Sequence, residues 1–163
     1  MILSMIVAVD QKNGIGKGDD QLAYISADLK RFKALTTGHT ILMGRKTFEA
    51  LPKGALPNRR NVVITRQANY TAAGADVVTS LEAALAICQS DEKVFVIGGG
   101  EIYKTFLNDT QALYLTIIDH AFDEATVFFP AINMDEWSIK QEEGPFTDEK
   151  TQLSYRYQNL IRK

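Results

Sequence analysis

One stretch decides the fold: Val94-Phe95-Val96-Ile97-Gly98-Gly99-Gly100-Glu101-Ile102-Tyr103. Its first four residues form a short and entirely apolar run, which is typical of a strand that is buried on both faces. The three glycines end this strand, and a helix is predicted over residues 102–107. A buried strand that leads through glycines into a helix indicates an α/β protein with a parallel sheet.

The same alternation of strand and helix occupies the chain before this stretch. Predicted strands cover residues 2–10, 40–43, 61–65 and 76–79, and predicted helices cover residues 26–35, 44–51 and 81–88. Ser26 and Ser80 are interpreted as the N-caps of the first and third of these helices. Residues 11–21 are polar and rich in glycine, so they are interpreted as a mobile loop.

After residue 107 the pattern changes to strands alone, over residues 112–119, 137–142 and 152–161. In the last of them, Leu153, Tyr155 and Tyr157 alternate and share one face. A series of strand–helix units that ends in antiparallel strands predicts a mixed sheet flanked by helices.

The composition excludes several classes of protein. The chain has 163 residues, is 45% hydrophobic and carries a net charge of −2, which predicts one globular domain over residues 1–163 without a nucleic-acid surface. The sequence shows no secretory leader and no run of membrane-spanning length. The single Cys88 allows no internal disulfide, so a cytoplasmic location is expected. His39 and His120 lack neighbours at metal-ligand spacing, so we expect no metal.

Three places combine the end of a strand with groups that bind phosphate. Gly98-Gly99-Gly100 offers backbone N–H groups at a helix start, although a tight turn needs the same residues. Gly44-Arg45-Lys46-Thr47 adds two cations and a hydroxyl, which are also compatible with a solvated helix. Thr65-Arg66 follows another strand and offers a guanidinium to a phosphate monoester. Together the three places predict a dinucleotide with an extra phosphate, which is NADP rather than NAD.

Asp28 has an unusual position in the first predicted helix. Asp28, Phe32 and Leu35 are spaced i, i+4 and i+7, so the carboxylate shares the apolar face. The basic residues Arg31 and Lys33 are expected to face solvent. Asp28 is therefore either a favourable acid in a first helical turn or a residue that faces a pocket.

These motifs and several others together resemble those of the dihydrofolate reductase family, over essentially the whole chain. The resemblance depends on the order and spacing of Ile6-Val7-Ala8-Val9-Asp10, Ile15-Gly16, Asp28-Leu29-Lys30-Arg31-Phe32, Met43-Gly44-Arg45-Lys46-Thr47-Phe48-Glu49, Leu56-Pro57-Asn58-Arg59, Val96-Ile97-Gly98-Gly99-Gly100-Glu101-Ile102-Tyr103 and Tyr114-Leu115-Thr116. It implies an α/β fold with a central mixed, mostly parallel eight-stranded sheet, about four flanking helices and an antiparallel C-terminal hairpin. It also implies an adenosine-binding subdomain at roughly residues 38–90.

The activity implied by the resemblance is the NADPH-dependent reduction of 7,8-dihydrofolate to 5,6,7,8-tetrahydrofolate by hydride transfer. Such an enzyme supports one-carbon metabolism, is an antifolate target, and is expected to be a cytoplasmic monomer. Asp28 would be the catalytic residue, because its carboxylate would orient the pterin and favour the protonated form. The Gly98–Gly99 peptide is expected to be cis, as it is in the family.

The resemblance also implies two sets of binding residues. The substrate-binding residues would be Ile6, Ala8, Asp28, Phe32, Leu51, Lys53, Leu56, Arg59, Ile97, Tyr103 and Thr116. The cofactor-binding residues would be Ala8, Ile15, Gly16, Gly44, Arg45, Lys46, Thr47, Thr65, Arg66, Gln67, Ile97, Gly98, Gly99, Gly100, Glu101, Ile102, Tyr103 and Thr126. Without the surrounding pattern, Arg59 would be interpreted as a solvated loop base.

The sequence departs from the family pattern in two places. The family has a tryptophan segment before its first helix, where this chain has Ala23-Tyr24, and the aligned position is Ala23 or Tyr24. Ala125 stands where an acidic residue often precedes the equivalent of Thr126, so the hydrogen bonds between the two loops are expected to differ. Two alternatives remain at this point: a pyrimidine reductase of the riboflavin pathway, which normally lacks equivalents of Asp28 and Arg59, and a non-catalytic NADP-binding protein.

Overall fold

The computed structural model of the protein describes residues 1–18 and 20–163. Within these residues the chain forms eleven strands and four α-helices, and a 3₁₀ turn, Leu107–Asp109, follows the last helix. The strands are β1 (Ile2–Val9), β2 (Gly14–Lys17), β3 (Asp20–Gln21), β4 (Thr40–Gly44), β5 (Arg60–Ile64), β6 (Ala75–Val78), β7 (Lys93–Gly98), β8 (Ala112–Ile118), β9 (Val127–Phe128), β10 (Trp137–Thr147) and β11 (Ser154–Arg162). The helices are α1 (Ser26–Thr36), α2 (Arg45–Glu49), α3 (Leu81–Ile87) and α4 (Gly100–Phe106).

The described strands form a main sheet and a small sheet. The main sheet has eight strands in the order β10-β11-β8-β1-β7-β4-β5-β6, and the small sheet has the order β3-β2-β9. The pairs from β8 through β6 are parallel, whereas β11 is antiparallel to both β8 and β10. The predicted mixed, mostly parallel sheet with four helices and an antiparallel C-terminal hairpin is therefore confirmed.

The central strands β1, β4, β5 and β7 of the main sheet are buried on both faces, as their apolar sequences require. In β1, Leu3 and Met5 pack into one cluster with residues of α3 and α4, whereas Ile6 packs into another on the opposite side. The second cluster includes Phe32 of α1 and Leu51, so α1 and the segment after α2 cover that face. We call the apolar region between α1 and this face of the sheet the cleft.

Some of the predicted local structure needs correction. The predicted mobile loop over residues 11–21 contains β2 and β3, and both belong to the small sheet; the predicted loop also includes Asp19, which lies outside the described residues. Ser26 is the first helical residue of α1 rather than its N-cap, and Ile25 occupies the cap position without a side-chain hydrogen bond. By contrast, the Ser80 hydroxyl accepts a hydrogen bond from the Ala83 N–H at 3.0 Å, which confirms its predicted capping role.

The predicted element lengths also differ in two places. The helix predicted over residues 44–51 is the shorter α2, Arg45–Glu49, and the strand predicted over 137–142 continues to Thr147. None of the helices described in the structure is both long enough and apolar enough to cross a membrane.

Candidate active site

The three predicted phosphate-binding segments lie at the carboxyl ends of adjacent strands. Met43 at the end of β4 is level with Gly98 at the end of β7, and Gly44 is level with Ile64 at the end of β5. The strand order therefore places Gly98, Gly44 and Thr65, which follows Ile64, side by side along one edge. The carboxyl edge of a parallel sheet is the usual place for ligands in α/β proteins.

At this edge the backbone of two glycine segments approaches the side chains of α2 and α4. A Cβ atom at Gly99 would lie 3.3 Å from the Thr47 hydroxyl oxygen, and one at Gly44 would lie 3.1 Å from Ile102. The Gly98–Gly99 peptide is cis, as the resemblance implies. The glycines thus leave backbone N–H groups accessible at the start of α4, next to a hydroxyl that can donate a hydrogen bond.

The charged and polar residues of this edge have different surroundings. Arg45 forms an ion pair with Glu49 one turn along α2, with 2.6 Å between Nη1 and Oε1, so its charge is partly compensated within the helix. Lys46 and Arg66 are exposed. The Thr65 hydroxyl accepts a hydrogen bond from the backbone N–H of Gln67 at 3.2 Å, which fixes the turn after β5.

The cleft beside α1 is lined by apolar residues from several elements. Within one apolar cluster the structure brings together five of the predicted substrate-binding residues: Ile6, Phe32, Leu51, Leu56 and Ile97. Ala8 belongs to a neighbouring cluster around Ile25, and Lys53 is exposed in the turn after α2. An apolar cleft with a few polar groups is the usual form of a site for a flat aromatic ligand.

Asp28 faces this cleft from the first turn of α1. Its Oδ1 atom accepts a hydrogen bond from the Thr116 hydroxyl on β8 at 2.5 Å. Burial raises the pKa of Asp28, while the Thr116 hydrogen bond and the positive charge of Arg31 act in the opposite direction without cancelling the effect. Asp28 thus has an environment unlike that of an ordinary acid in a first helical turn, and this environment favours its protonated form.

Tyr103 closes the floor of the cleft. Its hydroxyl donates a hydrogen bond to the Ile6 carbonyl oxygen at 2.8 Å. Burial and the nearby Asp28 charge raise the pKa of Tyr103, so the side chain stays a neutral donor. A carbonyl oxygen has two lone pairs, so the Ile6 carbonyl can accept a second hydrogen bond.

Arg59 lies at the outer end of the cleft, near the carboxyl end of α1. Its Nη1 donates to the Thr36 hydroxyl at 3.1 Å and its Nε donates to the Pro57 carbonyl at 3.0 Å. The guanidinium carbon is 6.0 Å from the centre of the Phe32 ring. These contacts hold a cation at the mouth of the apolar cleft, so Arg59 is not simply a solvated loop base.

The small sheet borders the site and joins the segment that contains Gly16 and Gly18 to the segment that contains Ala125 and Thr126. The hydrogen bonds between these two segments were expected to differ from the family pattern because of Ala125. The Thr126 hydroxyl accepts a hydrogen bond from the Gly18 N–H at 2.8 Å, and its own N–H donates to the Gly16 carbonyl at 2.9 Å. Gly16 is buried, and Ile15 packs against the larger apolar cluster. The two segments are therefore hydrogen-bonded to each other through Thr126 despite the alanine.

Ala23 and Tyr24, which stand where the family has a tryptophan segment, have different surroundings in the structure. Ala23 packs against the cluster formed by Ile25, Ile118 and Tyr155. Tyr24 is 55% exposed and donates a hydrogen bond to the Asp20 carboxylate. Of the two candidates, Ala23 thus holds the inward position, and a methyl group stands there.

The contacts of two charged residues near the site were not predicted from the sequence. Arg31, predicted to face solvent, instead turns inward: its Nη2 donates to Asn159 at 2.7 Å, and its guanidinium carbon lies 4.1 Å from the centre of the Tyr157 ring. Asp10 at the end of β1 accepts hydrogen bonds from backbone N–H groups, including that of Phe122 in another segment. Helical spacing alone cannot detect either contact, because both partners are distant in sequence.

The fold and the site together define an α/β protein with a nucleotide edge beside an apolar cleft that contains one acidic group. The sequence pattern of the family described as dihydrofolate reductase matches residues 2–162, so the chain belongs to the dihydrofolate reductase family.

Individual relatives agree with this assignment. The chain is 39% identical over 155 residues to the dihydrofolate reductase of Staphylococcus haemolyticus, which covers 95% of this chain and 92% of that protein. It is 38% identical over 156 residues to that of Bacillus subtilis, with 96% and 92% covered. It is also similar to a solved structure of dihydrofolate reductase from Enterococcus faecalis complexed with NADP(H) and RAB-propyl, with a TM-score of 0.91, 34% identity, and 99% and 96% of the two chains covered.

Proposed function

We propose that this chain catalyses the reduction of 7,8-dihydrofolate to 5,6,7,8-tetrahydrofolate with NADPH as the reductant. The observation that supports this most is the position of Asp28, which faces an apolar cleft next to a phosphate-binding edge. The family membership and the relatives named dihydrofolate reductase agree with this proposal. They do not favour a pyrimidine reductase or a non-catalytic protein.

Asp28 has two tasks in the proposed reaction. Its carboxylate receives hydrogen bonds from the far edge of the pterin and fixes the orientation of the ring in the cleft. Its negative charge also favours the protonated imine, to which hydride adds more readily. The Thr116 hydroxyl holds Oδ1 in place from the neighbouring strand, so the other carboxylate oxygen is the one that faces the substrate. The proton comes from water rather than from Asp28.

The remaining substrate contacts follow the length of the cleft. Ile6 and Ile97 offer backbone carbonyls to the pterin, and Phe32, Leu51 and Leu56 pack against the flat part of the molecule. Arg59 binds the glutamate carboxylate at the outer end, a task that suits the planar fork of its guanidinium. Lys53, Ala8 and Tyr103 complete the proposed substrate set.

The residues at the carboxyl edge of the sheet fit a dinucleotide with an extra phosphate. NADPH, when bound, supplies the hydride. Gly44–Thr47 and the backbone at Gly98–Tyr103 bind the pyrophosphate, because accessible N–H groups and the Thr47 hydroxyl meet there. Thr65, Arg66 and Gln67 bind the 2′-phosphate, and the surrounding residues 38–90 form the adenosine-binding subdomain.

The nicotinamide end of the cofactor is bound at the small sheet. Ala8, Ile15 and Gly16 lie against the ring, where their small or slim side chains leave room for it beside the pterin. Thr126 fixes the segment that contains Gly16 and Gly18 through its two hydrogen bonds. Closure of residues 11–21 over the site excludes bulk water during the transfer.

Assembly and location also belong to this proposal. We expect a monomer, because the proposed site is built entirely from elements of one chain. A reducing cytoplasm suits the lone thiol of Cys88, which is buried. Light scattering on the purified protein would test the first point, since a dimer would give twice the mass of 18.1 kDa.

The direct test is turnover of NADPH by the purified protein in the presence of dihydrofolate, followed by the loss of reduced-nicotinamide absorbance. We expect turnover that needs both compounds and that is faster with NADPH than with NADH at equal concentration. A well-folded protein without turnover would contradict the proposal. Turnover only with an amino-pyrimidine of the riboflavin pathway would instead favour the alternative activity.

A further inference from the structure

We propose that Arg31 is a positioning residue which acts through Asp28 and sets the pH range in which the site reduces its substrate. This inference rests on the proposed function, because it concerns the negative charge by which Asp28 favours the protonated form of the bound pterin. It assigns a role to a buried cation that the binding sites described above leave unused. Arg31 itself does not touch the substrate.

The position of Arg31 follows from the helix that carries Asp28. The two residues are spaced i and i+3 on α1, so their side chains leave neighbouring positions of the helix surface. Arg31 then extends towards β11, where Nη2 donates to Asn159 at 2.7 Å and the guanidinium packs on Tyr157 with 4.1 Å from its central carbon to the ring centre. A cation over an aromatic face is held firmly in place.

The sheet register places the aromatic partner of Arg31 next to the residue that donates to Asp28. Tyr157 on β11 is level with Thr116 on β8, and side chains at paired positions lie on the same face of the sheet. Thr116 is the residue that donates to Asp28. Asp28 with Thr116 and Arg31 with Tyr157 are therefore two neighbouring contacts between α1 and adjacent strands, and Arg31 acts on Asp28 by its charge rather than by a direct ion pair.

The guanidinium is only partly compensated by these contacts. Its Nη1 atom is buried and has no hydrogen-bond partner within residues 1–18 and 20–163. Burial lowers the pKa of Arg31, and the Asp28 charge is the largest influence that opposes this change. A guanidinium nevertheless stays protonated at every pH at which the protein folds, so Arg31 is a permanent charge beside Asp28.

The other titratable groups around Asp28 do not supply such a charge near neutral pH. Tyr157 faces it from β11, and burial together with the Asp28 charge raises its pKa to about 12. The pKa of Tyr103 of α4 is also raised, mainly by burial. Tyr114 of β8 and Glu143 of β10 face Arg31, and the negative charge of Glu143 favours the guanidinium. Arg31 is thus the cation that opposes the effect of burial on Asp28.

The sign of the expected effect follows from this charge. Protonation of the pair formed by Asp28 and dihydrofolate changes its net charge from negative to neutral, and a nearby cation disfavours that change. Removal of the Arg31 charge should therefore make the pair easier to protonate. Hydride transfer would then persist to higher pH.

The test uses the pH dependence of hydride transfer in a single turnover of the complex with NADPH and dihydrofolate. Arg31→Met keeps an apolar stem over Tyr157 and removes the charge. We expect its rate above the midpoint of the profile to rise about 3- to 10-fold relative to the unchanged protein, with a similar rate at the acid plateau. Arg31→Lys retains a charge and should largely restore the original profile.

Lys33→Gln is the matched control, because it removes a positive charge from an exposed position of the same helix. It should leave the pH profile unchanged. A profile in Arg31→Met that equals the original, or an equal shift in Lys33→Gln, would overturn the proposal. If Arg31→Met and Arg31→Gln both fail to fold while Arg31→Lys folds, the role of Arg31 is structural and the proposal is also overturned.

A second readout separates this inference from the proposed function. The ¹³C signal of the Asp28 carboxyl carbon can be followed against pH in the free protein, without cofactor or substrate. Arg31→Met should move the midpoint of that titration to higher pH, and Lys33→Gln should not. This result would support the inference even if dihydrofolate were not the substrate, whereas an unchanged midpoint would contradict it even in an active enzyme.

Discussion

Asp28 and Asp10 are both largely removed from solvent, but their pKa values are shifted in opposite directions. Asp10 is 3% exposed, and its carboxylate accepts backbone N–H hydrogen bonds from Lys12 at 2.8 Å, Gly14 at 2.7 Å and Phe122 at 3.0 Å. Burial raises the pKa of Asp10, but these donors outweigh it and the net change is downward. Asp28 receives the Thr116 hydroxyl, and its pKa is raised.

The difference shows that the donors around a carboxylate, rather than its burial alone, decide its role. Three N–H groups donate to Asp10 and occupy both of its carboxylate oxygens, so it is a structural anion that joins the end of β1 to two loops. Asp28 keeps unused acceptor capacity that faces the cleft, so a ligand with N–H groups completes its hydrogen bonding. The Asp10 carboxylate stabilises the fold, whereas the raised pKa of Asp28 means that its charge lowers the stability of the fold.

The largest expected effect comes from Asp28→Asn, which removes the charge but keeps the shape. Turnover near neutral pH should fall by about 100- to 10,000-fold, because the amide no longer favours the protonated imine. Part of the rate should return in acid, where dihydrofolate is protonated in solution. The measurement is the rate of NADPH consumption across pH. Unchanged kinetics in a folded variant would make Asp28 another structural acid like Asp10.

Asp10→Ala should have the next largest effect, which is a loss of folding stability rather than a loss of turnover. It leaves three N–H groups without their acceptor, of which that of Gly14 is buried, and this should cost about 2–4 kcal/mol of unfolding free energy. Denaturant unfolding measures this cost. Asp10→Asn, which keeps one acceptor oxygen, is the matched control and should lose less.

The stability that the Asp10 carboxylate contributes should also depend on pH. The lowered pKa means that the stabilisation by Asp10 is fully present above its unfolded value of about 3.8 and is lost as the pH falls through the folded value. The difference between Asp10→Asn and the unchanged protein should therefore shrink in acid. A difference that grows in acid would contradict this account.

The smallest expected effect is a gain in stability from Asp28→Asn. A raised pKa means that ionised Asp28 destabilises the folded state, so the amide should increase the unfolding free energy by on the order of 1 kcal/mol at neutral pH. The gain should diminish as the pH falls through the raised folded value and should vanish below 3.8, where the carboxyl is protonated in both states. Thermal unfolding at several pH values measures it as a rise of about 2–4 °C per kcal/mol.

The main sheet could be predicted because its strands are apolar runs separated by helices with clear spacing. The small sheet could not, since β3 and β9 have two residues each and show no alternation. Its existence depends instead on pairing between segments more than 100 residues apart, such as Gly16 with Val127. Glycines that suggest a mobile loop also permit the close pairing of β2 with β3: a Cβ at Gly16 would lie 2.8 Å from the Asp20 carbonyl oxygen.

The candidate site was predictable to a similar extent. Helical spacing placed Asp28 and Phe32 on one face correctly, and the strand ends with glycines and hydroxyls fell along one edge of the sheet. Arg31 was misplaced because spacing shows which residues share a face but not which face β11 covers. Asp10 was missed as an anchor because its partners are backbone groups, which no side-chain pattern reveals.

The most direct measurement is a ¹³C titration of the aspartate carboxyl carbons in the free protein, with Asp28→Asn and Asp10→Asn used to assign the two signals. We expect Asp28 to titrate above 3.8, the ordinary value, because burial dominates there. We expect Asp10 to titrate below it, because its hydrogen-bond donors outweigh burial. Equal midpoints, or an Asp10 midpoint above that of Asp28, would contradict the claim that the cleft keeps Asp28 ready for a proton-bearing ligand.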